Sequence, residues 1–167
     1  TNNPQYMKVA REALLALFLS RSKVTGLVGN HINIENAQWT YREAGIGGSM
    51  DSFYEYLMKG WLVFGDRAYV DMFETFFESI QKHLYKSPWY SDVDMHSGKQ
   101  VWTVFNSLQS FWPGTLSSHG RVDLARETLL AFHSVWRKYG VVPEGFNYLA
   151  GMIQTNQQIY PLRPELA

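Results

Sequence analysis

The sequence predicts an all-α fold, either stacked helical hairpins or an α/α toroid, with short β-hairpin insertions. Two observations point there. Three segments begin at a polar or turn residue and then place apolar side chains at helical spacing: "NNPQYMKVAREALLALFLSR", "GDRAYVDMFETFFESIQKHL" and "GRVDLARETLLAFHSVWRKYG". Their starts lie roughly 55 to 65 residues apart, too far for a tetratricopeptide-type array and suited to helix pairs joined by a long loop.

Taken in order, the first segment puts Val9, Ala13, Ala16 and Leu17 on one stripe, with Lys8, Arg11 and Glu12 largely off it. "LVGNHINIENAQWTY" alternates and carries strand formers, so it reads as a short hairpin. "DSFYEYLMKGWLVFG" is apolar nearly all round and predicts an inner helix buried on both sides. The next helix aligns Val70, Phe73, Phe77 and Ile80. "WYSDVDMHSGKQVWTVF" reads as a second hairpin, and "SLQSFWPGTL" as a short helix broken at Pro113. The last helix repeats Leu124, Leu129, Phe132 and Trp136. No low-complexity stretch or linker divides the chain.

Composition narrows the function. The chain of 167 residues has 15 basic and 15 acidic side chains, which argues against nucleic acid or an anionic membrane as the main partner. Aromatic residues make up 16%, enough to line a sugar or ligand cleft as well as a core. Without cysteine, neither a disulfide scaffold nor a thiolate metal site is available, and the compartment stays open. The longest apolar run, "ALLALF", is far below a membrane span. A chain that starts without Met and stops just after a dense motif is expected to be a fragment.

The densest candidate is "AGIGGSMDSFYEYL", a glycine loop running into a helix start with Asp51 at the seam. As a phosphate loop it has neither the Walker spacing nor a dinucleotide fingerprint. Ser52 and Glu55 have capping-box spacing, which leaves Asp51 just outside the cap; alternatively Asp51 is itself the cap, or has a chemical role. In "YPLRPEL", prolines hold the backbone extended around Arg163 and Glu165, either as exposed helix-start charges or to aim a carboxylate at a water or a sugar hydroxyl. Glu144 follows Pro143 in a glycine-flanked loop. Asp92, Asp94 and His96 have the types of a divalent-ion site but no evident fourth ligand. The remaining histidines show no zinc spacing, and no nucleophile elbow is present.

In order along the chain, "GLVGNHIN", "GIGGSMDSFYEYLMK", "SLQSFWPGTL", "YGVVPEGFNY" and "YPLRPELA" resemble the class I α-1,2-mannosidases, inverting, calcium-dependent glycoside hydrolases of the secretory pathway. The likeness is greatest to the ER-degradation-enhancing α-mannosidase-like branch and spans essentially the whole chain. It implies that residues 1–167 are a central fragment of one catalytic domain with an (α/α)7 barrel fold. It also implies that Asp51 and Glu165 are catalytic acids, Glu165 being the base, and that Glu144 and Arg163 bind substrate. The implied substrate is α-1,2-linked mannose on high-mannose N-glycans of misfolded glycoproteins in the endoplasmic reticulum, with ER quality-control proteins as possible partners. A glycan-binding module without turnover is the alternative.

The same resemblance places the family's other acid upstream of this chain and the calcium-binding threonine downstream, so these residues alone are expected to be inactive and calcium to need the full domain. Ser49, Ser107 and Ser110 stand where processing mannosidases carry an arginine, a histidine and a disulfide cysteine, which favours the degradation-linked branch. The glycines before Asp51 then read as room for a sugar ring. An opened barrel would leave the surface around Tyr56 and Trp61 uncovered, with poor solubility as the consequence.

Overall fold

The computed structural model describes residues 3–163, 165 and 166. Helix α1 (Pro4–Leu19) starts where the Asn3 side chain accepts the Gln5 amide at 3.0 Å, with Pro4 in the first turn. It docks through Leu14 and Phe18, while Val9 and Ala13 of the expected stripe face outward. The contact row therefore begins one residue later, about 100° around the helix axis. Phe18 meets Phe76 edge to face at 5.5 Å and carries the Arg21 guanidinium on its ring at 3.9 Å.

Strands β1 (His31–Ile32) and β2 (Trp39–Tyr41) form the first expected hairpin, followed by β3 (Glu43–Ala44). Helices α2 (Asp51–Phe64) and α3 (Arg67–His83) make a tight helical hairpin. Gly65 ends α2 in the left-handed region at φ 67°, and the Asp66 side chain caps α3 by accepting the Ala68 amide at 3.0 Å. A methyl group at Gly60 would lie 2.8 Å from the Tyr69 ring, so the missing Cβ sets how closely the helices approach.

Helix α2 does not bury both sides. Tyr54, Leu57 and Met58 enter the core, but Tyr56 is 64% and Val63 73% exposed, because the described chain supplies α3 and α4 on one side only. Helix α3 meets its expectation, burying Phe73, Phe77 and Ile80 together with Met72 and Phe76.

Beyond α3 come β4 (Tyr85–Lys86), β5 (Trp89–Tyr90), β6 (Asp92–Asp94), β7 (Gln100–Trp102) and β8 (Val104–Phe105). After a 3-10 turn at Ser107–Gln109, α4 (Trp112–Ser118) begins with Pro113 in its first turn. Proline initiates this helix instead of breaking it, since an N-terminal amide has no intrahelical acceptor to lose. Helix α5 (Val122–Tyr139) packs on α4 through Ala125, Thr128, Phe132 and Val135, leaving Leu129 and Trp136 of the expected stripe largely exposed. The chain then forms β9 (Phe146–Asn147) and β10 (Met152–Ile153).

Two antiparallel three-stranded sheets result, ordered β3-β6-β7 and β10-β9-β8. They stand on a continuous aromatic core in which Trp112 touches Tyr54, Phe73 and Tyr90, and Phe105 stacks on Phe132 at 4.2 Å. The arrangement is helical, with short strands confined to the connections, and the connections position the candidate site.

Candidate active site

Asp51 occupies the first turn of α2, not a position outside its cap. Met50 is the cap residue and makes no side-chain cap bond; Asp51 Oδ1 accepts the Ser52 amide at 2.6 Å and the Ser52 hydroxyl at 3.2 Å. The capping box is not formed, because Glu55 pairs instead with Lys59 at 2.8 Å, one turn on. The carboxylate sits where free first-turn amides and the helix dipole favour a negative charge.

The glycines ahead of Asp51 do not leave room for a sugar ring. A Cβ on Gly45 would overlap the Asp92 carboxylate, with Asp92 Cγ 2.9 Å away, and one on Gly47 would lie 3.0 Å from Gln109 Cγ and 3.4 Å from Asn106 Oδ1. Gly48 is less confined, with Leu108 Cδ1 at a contact distance of 3.4 Å from where its Cβ would stand. The loop is glycine-rich because side chains of the protein itself press against its backbone.

Glu144 and Arg163 come together although nineteen residues separate them: Arg163 Nη1 donates to both Glu144 carboxylate oxygens at 3.1 Å. The Glu144 loop is pinned by its backbone amide, which donates to the Ile159 carbonyl at 2.9 Å. Glu165 is exposed and lies outside any helix or strand, and Leu162 just before Arg163 takes a left-handed φ of 54°, so the backbone here is not held uniformly extended. Among the described residues Asp51 shares no hydrogen bond or ion pair with Glu144, Arg163 or Glu165.

Beside Glu144 lies a cleft of about 250 Å³ between the two three-stranded sheets, lined by Glu43, Asp92, Trp102, Asn106 and Gln157 among others. Asp92 and Trp102 are partners across β6 and β7. Burial, and next the nearby charge of Glu43, push the Asp92 carboxyl up from 3.8 to about 7. Apart from Glu144 and Asp92, sequence reasoning did not single these residues out. The signal that was available is Gly45 opposite a strand aspartate, legible only once β3 and β6 are known to pair.

Asp92, Asp94 and His96 do not form a metal site. A register shift separates Asp92 from Val93, and Asp94 is committed to a turn, accepting the His96 amide at 3.1 Å and the Ser97 amide at 2.7 Å. Among the described residues no three His, Asp or Glu side chains converge to hold a metal. A cavity of about 640 Å³ lies between the end of α1 and α3, lined by Arg21, Glu78, Lys82 and His83 among others and by none of the candidate carboxylates.

The family model described as glycosyl hydrolase family 47 matches residues 1–167. The chain belongs to that family. Within family 47 it is similar to alpha-mannosidase I MNS4 of Arabidopsis thaliana, 49% identical over 166 residues, which are 99% of this chain and 26% of the relative. It is also similar to ER degradation-enhancing alpha-mannosidase-like protein 2 of Mus musculus, 40% identical over 166 residues, 99% of this chain and 29% of that protein. The chain thus spans less than a third of either family 47 relative. The solved alpha-1,2-mannosidase from Trichoderma reesei superposes with a TM-score of 0.81 at 23% identity, over 98% of this chain and 41% of that one, a likeness of fold.

Proposed function

We propose that residues 1–167 are the central part of an (α/α)7 catalytic domain that removes α-1,2-linked mannose from high-mannose N-glycans by inversion, in the endoplasmic reticulum. The observation that carries the reading is the family 47 match along the whole chain. The uncovered face of α2 supports the barrel, since Tyr56, Leu62 and Val63 form an apolar surface of the kind further helices cover. The names of the relatives point to ER-associated degradation, and with it to misfolded glycoproteins and quality-control proteins as partners.

Inverting hydrolysis needs one carboxyl that protonates the leaving oxygen and one carboxylate that takes a proton from water, held about 6.5 to 9.5 Å apart. Glu165 is the base: exposed, it draws a proton from the water that attacks the anomeric carbon. Asp51 gives or relays the proton to the departing sugar oxygen. Arg163 holds Glu144 in one orientation through its paired hydrogen bonds, so the Glu144 carboxylate presents a fixed acceptor to a sugar hydroxyl. Calcium is the metal the resemblance implies, and among the described residues no three His, Asp or Glu side chains converge to hold it.

The test is mannose release from Man9GlcNAc2 by the complete protein supplied with calcium, followed by chromatography. Asp51→Asn and Glu165→Gln should each lower the rate by about 10²-fold or more; equal rates in wild type and both variants would overturn the assignment. Glycan binding without turnover is the second reading. It is favoured by Ser49 and Ser107, the departures from the processing enzymes, and predicts affinity with no mannose released at all.

A further inference from the structure

The cavity of about 640 Å³ between the ends of α1 and α3 is bounded by the turn at Ser22–Gly26 and is built without any of the candidate carboxylates. Its walls are fixed by the chain itself. The Ser22 hydroxyl oxygen accepts the Val24 and Thr25 amides at 3.2 and 3.3 Å, and the Thr25 hydroxyl donates to the Met95 carbonyl. A Cβ on Gly26 would overlap the Ser79 hydroxyl, so the turn lies directly against α3.

The lining is cationic, in a chain whose 15 basic and 15 acidic residues cancel. Arg21, Lys23 and Lys82 line the cavity with a single carboxylate, Glu78, and none of the four joins an ion pair among the described residues. His83 reports the same imbalance: burial first, and then the charges of Lys82 and Lys86, push its pKa down.

Part of this charge serves the helix ends. Arg21 Nη1 donates to the Phe18 carbonyl at 2.7 Å, and Lys82 and His83 stand in the last turn of α3, where cations are favoured. That service does not use up the donors. The Arg21 guanidinium, held over the Phe18 ring at 3.9 Å, keeps further N–H groups of its fork. Lys23 lies beyond α1, in the turn, and has no helix end of its own to cap. Ser22 is 4% exposed and lines the cavity, and its hydroxyl accepts two amides while donating to nothing among the described residues.

Such donors suit a tetrahedral oxyanion. An arginine fork, two ammonium groups and a hydroxyl, supplied by a turn and by a helix, can meet the three free oxygens of a phosphate monoester from different sides, whereas a carboxylate offers two oxygens in one plane. Three cations against one carboxylate also complement a group that carries about −1.5 to −2 charges at neutral pH. The volume lies within the roughly 300–1,000 Å³ of clefts that enclose small molecules, more than a bare phosphate fills. Leu19 and Val24 line the cavity while largely exposed, an apolar rim for the body of the ligand.

We infer that this cavity binds the phosphate group of a small phosphate monoester, with Arg21, Lys23, Lys82 and the Ser22 hydroxyl as its donors. The site is separate from Asp51 and Glu165, and it goes beyond the proposed hydrolysis without depending on it.

Isothermal titration of the complete protein, in phosphate-free buffer at constant ionic strength, tests it with inorganic phosphate, glucose 6-phosphate, glucose and acetate as probes. Both phosphates should bind saturably, the ester more tightly through the added contacts of its body, and glucose and acetate should not bind. Lys23→Gln and Lys82→Gln alter exposed side chains, leave the core intact, and should each weaken glucose 6-phosphate about tenfold. Lys8→Gln, in the first half of α1, should leave the affinity unchanged. Absence of saturable binding by either phosphate overturns the inference, and so does binding that survives Lys23→Gln and Lys82→Gln together. Binding of inorganic phosphate without the ester overturns the assignment of the ligand and leaves a site for the free ion. Because mannose release is not the readout, an inactive protein that binds the ester contradicts the hydrolase reading alone, and an active one that binds neither phosphate contradicts this inference alone.

Discussion

Replacing Asp92 with asparagine removes a carboxyl that the fold holds in an unfavourable place. The side chain lies against the Gly45 backbone and finds no hydrogen-bond donor among the described residues, with Glu43 nearby. Its carboxyl titrates near 7 in the folded protein, against 3.8 when unperturbed. Because the folded state keeps the proton that the unfolded chain has lost, stability falls as pH rises from about 4 to about 7 and then levels off. Raising the carboxyl from 3.8 to about 7 corresponds to about 4 kcal/mol of destabilisation above pH 7, and to about 2 kcal/mol at pH 5, where only the unfolded chain is ionised. Asp92→Asn escapes the titration while keeping the shape. Urea unfolding at pH 5 and pH 8 should therefore show the variant gaining on wild type by about 2 to 3 kcal/mol more at pH 8 than at pH 5. A stability difference that is the same at both values would refute the reasoning, because it would mean Asp92 ionises at its ordinary pH.

Other outcomes follow from single contacts. Gly45→Ala should cost about 1–3 kcal/mol by driving a methyl group into Asp92, and most of that cost should vanish in an Asp92→Ala background, as a double-mutant cycle would show. Phe132→Ala should cost about 3–5 kcal/mol in a urea melt, since its fully buried ring stacks on Phe105 at 4.2 Å. Asp66→Ala should cost about 1 kcal/mol by uncapping α3, and slightly more through the loss of Arg11, which the Asp66 carboxylate holds at 2.7 Å.

What could be read from the sequence was what local chemistry decides. The buried row of α3 follows from the spacing of Phe73, Phe77 and Ile80, and both hairpin insertions follow from alternation. Where the structure departs from the spacing, packing decides: Glu55 reaches Lys59 instead of capping α2, and Leu14 reaches the core where the stripe placed Ala13. Contacts between distant segments left no local trace. Glu43 pairs with Asp94 across some fifty residues of chain, and the Asp92 cleft exists only because that pairing puts β6 behind the glycine loop. Resemblance to a family names Glu144 and Arg163 as substrate-binding residues one by one, and their pairing with each other leaves no local trace. Asp51 too is named by that resemblance, since its local bonding to Ser52 is that of an ordinary first-turn aspartate.

The most direct test of the hydrolase reading is the anomer first released. Proton NMR of the complete protein acting on Man9GlcNAc2 should show β-mannose appearing first and then mutarotating to the α form, as inversion at an α-linkage demands. Initial release of α-mannose, or no release at all, would contradict the account.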